Sequence, residues 1–149
     1  CVAGISGGMI AGFLSDKVFG SRRGPVAALL YGTMLAVAVA MVFVLTQNYI
    51  LGAMVALGSL AIIGVHGMLS GTATMDFGGR KAAGTAVGII DGFVYLGTAL
   101  QSISLGFITS RSWQFWPVFL IPFAIIGLLL AIRIWAAFPG PVKKGAGGH

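Results

Sequence analysis

The chain has 149 residues, of which 58% are hydrophobic and only 8% charged, and its formal net charge is +6. So few charges, with a mean hydropathy of +1.01, exclude a water-soluble globular domain, in which charged residues run near ~25%. The basic excess does not point to a nucleic-acid partner, because the cations cluster in short gaps between apolar runs, the pattern of membrane topology determinants.

Taking ~20 apolar residues as the length of a span, the chain in order predicts a partial segment at 1–14 and full segments at 26–46, 50–75, 82–109 and 116–138. Together, residues 1–139 form one all-α transmembrane bundle, followed by a short Gly-rich basic tail, 140–149, expected to be disordered. A β-barrel is excluded, since Val26 to Leu45 and Val118 to Ile132 are almost continuously apolar rather than alternating. The chain opens without Met inside an apolar run and is expected to be truncated at its start, with no cleavable signal peptide visible. Glycines recur at a spacing of four, as Gly4, Gly8 and Gly12 (with Gly7 beside them) and as Gly84, Gly88 and Gly92, and each set is expected to form a packing seam.

Lys and Arg set the orientation. Lys17, Arg22, Arg23, Arg80, Lys81, Lys143 and Lys144 all fall on one side if the spans alternate, leaving Arg111 on the other. The first side is therefore predicted to be cytoplasmic, with a cytoplasmic C-terminus. Tyr49, Trp113 and Trp116 are placed at the outer interface and Trp135 at the inner one, with Arg133 snorkelling near the inner edge.

His66 and Asp91 lie in successive apolar segments on either side of the basic stretch Asp76-Phe77-Gly78-Gly79-Arg80-Lys81. Each is about 12 residues from the midpoint, so a hairpin rising ~1.5 Å per residue carries both toward the bilayer interior at one depth. A charged side chain there costs at least roughly 2.5–3.5 kcal/mol, which makes both candidates for function. Helical spacing adds a polar stripe of Ser59, His66 and Ser70 on one segment. A second stripe on the next carries Thr85, Asp91, Tyr95, Thr98 and Ser102, with Gln101 slightly off it. Serines and threonines in such helices most often bond their own backbone carbonyls. His66, Ser70, Asp91, Tyr95, Thr98 and Gln101 are the candidate cavity and coupling residues. No Ser/His/Asp set, Cys/His metal cluster or P-loop is present, so no enzyme activity, metal or cofactor is expected.

Two stretches carry a family resemblance. Gly12, Asp16-Lys17, Gly20 and Arg22-Arg23 resemble the cytoplasmic loop motif of the major facilitator superfamily, G-x-x-x-D-K/R-x-x-G-x-R-R. Arg80-Lys81-Ala82-Ala83-Gly84-Thr85-Ala86-Val87-Gly88, followed by Phe93-Val94-Tyr95-Leu96-Gly97, is similar to the eleventh helix of the organophosphate:phosphate antiporters. The resemblance covers essentially the whole chain and implies the C-terminal part of a twelve-helix fold, from the end of the eighth helix to the twelfth. It further implies exchange of a sugar phosphate or glycerol phosphate for inorganic phosphate by alternating access, in a cell membrane (the inner membrane in a bacterium). Partners would be an anionic solute, phosphate or protons, the bilayer and the N-terminal helices of the same transporter, whose arginines grip the phosphate in this family. In this reading Asp16, Arg22 and Arg23 latch the cytoplasmic side, and Arg80-Lys81 fix topology or attract the anion. Asp91 departs from the small residue usual in the bacterial glycerol phosphate exchangers, and an Ile-Ile-Asp-Gly run resembles the eukaryotic sugar-phosphate branch. A proton-coupled facilitator for another solute, with Asp91 as proton carrier, and a transporter-like membrane sensor stay open beside exchange.

Overall fold

The computed structural model describes residues 2–136, without the side chains of residues 76–81. The first helix, α1, spans Val2–Lys17; α2 spans Arg23–Val44, and α3 spans Asn48–His66. A π-helical segment, Gly67–Ala73, continues α3 into α4, Thr74–Arg111. A 3-10 turn at Trp113–Phe115 then leads into α5, Trp116–Arg133. No strand occurs among the described residues. The basic tail from residue 140, Lys143 and Lys144 included, lies outside the described residues.

The helices alternate in direction. The beginning of α2 meets the end of α5, where a side chain at Gly24 would collide with the Ile134 carbonyl. At the opposite end, Leu45 and Thr46 share a cleft with Gln114 and Phe115. Helix α1 runs parallel to α3: Gly4 faces Ile63, and Gly7 faces Leu60 and Gly64. The basic stretch at 76–81 does not interrupt the helical assignment, which starts α4 at Thr74. The chain nevertheless doubles back between Ser70 and Asp91. Ser70 and Asp91 are hydrogen bonded at 2.7 Å, whereas a straight helix would hold them about 30 Å apart.

α2 is the central helix, packed on α5 along one side and on α3 along another, while α4 touches α5 only slightly. The core gathers Ala11 of α1, Val26, Ala27, Ala28 and Leu30 of α2, Ala61 and Val65 of α3, Met68 and Ala131. Small residues dominate because lipid gives helices little hydrophobic reason to associate, so adhesion depends on close van der Waals approach. The seam between α1 and α3 follows from this. A Cβ at Gly64 would stand 3.0 Å from the Gly7 carbonyl oxygen, and one at Gly7 would overlap Leu60's backbone.

That seam departs from the expected spacing of four. The buried face of α1 is Gly4, Gly7, Ala11 and Ser15, while Gly8 and Gly12 have nothing within 4 Å of where a Cβ would stand. Steps of three, four and four follow the 3.6-residue turn along a nearly parallel neighbour, whereas repeated steps of four drift off it. Gly84, Gly88 and Gly92 are likewise open, so they form no seam with any described residue.

In the π segment, hydrogen bonds reach five residues along instead of four. Threonine hydroxyls take up its carbonyls: Thr72 donates to Met68 at 2.7 Å, and Thr74 donates to Ser70 and Gly71 at 2.7 Å each. The segment thus stays satisfied inside an apolar span, as low-dielectric surroundings require.

Candidate functional site

The α1–α2 loop is held by its own polar residues. Gly20 and Ser21 adopt left-handed conformations, φ 57° and 62°, which fold the chain back so that the Ser21 amide donates to the Ser15 carbonyl at 2.8 Å. The reversal brings Arg23, in the first turn of α2, over the end of α1. Its Nη1 donates to Asp16 Oδ1 at 2.8 Å and to Ser15 Oγ at 2.7 Å, and the Ser21 hydroxyl also donates to Asp16 at 3.2 Å. A cation at a helix N-terminus opposes the macrodipole, and the Asp16 carboxylate offsets it there. Lys17, in the last turn of α1, complements that helix's dipole instead. Of the two arginines in the loop motif, Arg23 pairs with Asp16, and Ser15 and Ser21 complete the cluster. Neither serine was singled out in the sequence.

On the hairpin, Asp91 accepts a hydrogen bond from Ser70, which is 7% exposed. His66, expected level with Asp91, lies one turn before Ser70, the residue that bonds Asp91. It lines a cavity of about 240 Å³ shared by Tyr31, Met34, Ser70, Ile90 and Val94. The offset has a physical source. Side chains lean toward the N-terminus of their own helix, so in an antiparallel pair Asp91 leans toward the hairpin bend and the residues of α3 lean away from it. Asp91 therefore meets a residue nearer the bend than equal counting selects.

The other candidates divide. Gln101 lines a second cavity, about 260 Å³, with Tyr31, Gly58 and Leu120. Tyr95 is 68% exposed, and the Thr98 and Ser102 hydroxyls donate to the carbonyls of Val94 and Thr98, each at 2.9 Å. The structure does not bring Tyr95 or Thr98 to Asp91. The side chains of Arg80 and Lys81 lie outside the described residues. Tyr31 lines both cavities and was missed, because a tyrosine inside an apolar run reads as packing; its phenol within a span was the available signal.

Among the described residues, four helices long and apolar enough to cross a bilayer, alternating in direction, with an acid and its hydroxyl partner inside two of them, define a multi-pass membrane protein of all-α type. Over 139 residues the chain is 31% identical to the "Probable hexose phosphate transport protein" of Chlamydia pneumoniae, covering 91% of this chain and 30% of that protein. It is 32% identical over 137 residues to the "Glycerol-3-phosphate transporter" of Bacillus subtilis, covering 89% of this chain and 30% of the transporter. The chain is thus organophosphate:phosphate antiporter-like, within the major facilitator superfamily, and spans about a third of the length of the curated relatives it matches. No family model matches the chain, and no solved structure is significantly similar to it.

Proposed function

We propose that the chain is the C-terminal part of a carrier that moves an organic phosphate ester, such as a hexose phosphate or glycerol phosphate, in exchange for inorganic phosphate by alternating access. The observation that carries this reading is similarity to phosphate-ester transporters along nearly the whole chain. The loop at 18–22, the basic stretch at 76–81 and the C-terminus face the cytoplasm, as the Lys and Arg distribution favours.

In this mechanism the phosphate group is neutralised by cations outside this chain, and the hairpin reads the organic part. Ser70 occupies Asp91 Oδ1, leaving the second carboxylate oxygen to accept from a substrate hydroxyl. A carboxylate facing a phosphate dianion would repel it, so Asp91 serves the hydroxyl-bearing end. His66 and Gln101 line the adjoining cavities. The Asp16–Arg23 pair ties α1 to α2 on the cytoplasmic side and biases the rocking of the two halves.

Proteoliposomes holding the complete carrier and loaded with inorganic phosphate test the reading. Labelled glycerol phosphate or hexose phosphate is expected to enter by counterflow whether or not a pH gradient is imposed. Uptake that needs no internal phosphate and collapses with the gradient would overturn exchange in favour of proton coupling.

A further inference from the structure

A groove of about 420 Å³ opens sideways between the end of α4 and the start of α5. It is lined by Phe107, Ile108, Arg111, Phe115, Val118 and Phe119. Five of these are apolar, and the sixth is a cation. The Arg111 guanidinium carbon lies 4.9 Å from the centre of the Phe107 ring. This cation–π contact holds the group beside the ring while its N–H donors stay available. Among the described residues no carboxylate neutralises it, because Asp16 pairs with Arg23 at the other end of the bundle and Asp91 lies about 30 Å away along α4.

Depth decides what such a groove meets. Arg111 is the last residue of α4 and ends an apolar span of 30 residues, Ala82–Arg111. Beside it the rings of Trp113 and Trp116 pack at 6.2 Å, as aromatic residues do where hydrocarbon gives way to headgroups. The cation therefore stands at the level of lipid phosphates and the aromatic floor at the level of acyl chains. A guanidinium fork matches phosphate geometry.

We propose that this groove is a phospholipid site, with one acyl chain along Phe107, Phe115 and Phe119 and the headgroup phosphate on Arg111. The site is independent of the transport reading and lies at the opposite end of the bundle from the Asp16–Arg23 pair.

Native mass spectrometry of the purified protein with added phosphatidylglycerol tests it. One lipid is expected to survive detergent exchange. Arg111→Gln should weaken its retention about fivefold, the factor for one cation at a lipid surface. Val118→Trp, which fills the groove and leaves the arginine, should weaken it similarly, and millimolar inorganic phosphate should not displace the lipid. Equal retention in both variants would mean unspecific surrounding lipid and overturn the proposal. So would displacement by inorganic phosphate, which marks a soluble-anion site, or a dimer that Val118→Trp dissociates, which marks a second copy in the groove. Helical circular dichroism and monodisperse elution check each variant's fold, and Ile108→Trp replaces Val118→Trp if the latter fails to fold.

Discussion

The ring of Tyr31 in α2 lies against Gly127 of α5 so closely that a methyl group at 127 would overlap its edge. The same tyrosine forms a wall of both cavities near the hairpin, so one contact fixes the α2–α5 interface and shapes the space beside His66. Gly127→Ala is expected to cost about 1–3 kcal/mol, the usual penalty for overpacking a rigid contact. Thermal unfolding in detergent measures it, and adding Tyr31→Leu should recover much of the loss. Purely additive losses would show that the ring is not the obstacle.

The glycines of α1 and α4 should separate sharply on substitution. Gly7→Ala drives a methyl into the Leu60 carbonyl and should disrupt α1–α3 packing, whereas Gly12→Ala and Gly88→Ala meet open space. Those two should be neutral or stabilising by up to about 1 kcal/mol, because alanine loses less backbone entropy in a helix. Comparing yields and melting temperatures of the three variants decides the matter, and equal damage from all of them would refute the seam.

At the α1–α2 loop the two partners differ in environment. The Asp16 side chain is 57% exposed and that of Arg23 9% exposed. Asp16→Asn should therefore cost roughly 0–1 kcal/mol of stability, while Arg23→Gln, which removes a buried charged donor from Ser15 and Asp16, should cost about 1–3 kcal/mol. Asp16→Asn should instead alter the balance of inward-open and outward-open states. Unaltered labelling of reporter cysteines on both faces would retire the latch.

For the hairpin, Asp91→Asn is expected to leave insertion intact and to change selectivity among phosphate esters by about tenfold or more, the scale of one hydrogen bond to a charged group. Ser70→Ala should shift selectivity in the same direction, and the double variant should show less than the sum. Exchange rates for glycerol phosphate, hexose phosphate and inorganic phosphate supply the comparison. Identical preferences in wild type and Asp91→Asn would remove Asp91 from recognition.

Much of this architecture could be read from residues. Apolar runs of span length announced α2 and α5, and the spacing of Gly12, Asp16, Gly20, Arg22 and Arg23 announced a polar loop whose Asp16–Arg23 contact the fold provides. The hairpin was legible as well, since a reversal between Ser70 and Asp91 is what joins them. Finer geometry was not. Counting residues places α-carbons, but the lean of side chains in opposed helices decides that Ser70 is the residue that bonds Asp91. Gly4, Gly7, Gly8 and Gly12 occupy adjoining faces of α1, and only the direction of α3 selects Gly4 and Gly7. The pairing of Tyr31 with Gly127 depends on two helices far apart in the chain, and no local pattern encodes it.

The widened winding at Gly67–Ala73 gives this protein spare length where most helices have none. Removing one residue there lets the chain rewind to the ordinary pitch with its backbone bonding intact, and because a π turn holds one residue more than an α turn, the segments on either side keep nearly their mutual orientation. A shortened variant that inserts and folds normally would follow; one that cannot insert would contradict it. Loss of one residue is therefore tolerable in this stretch, whereas the same deletion within α2 would turn one half of that helix away from its neighbours.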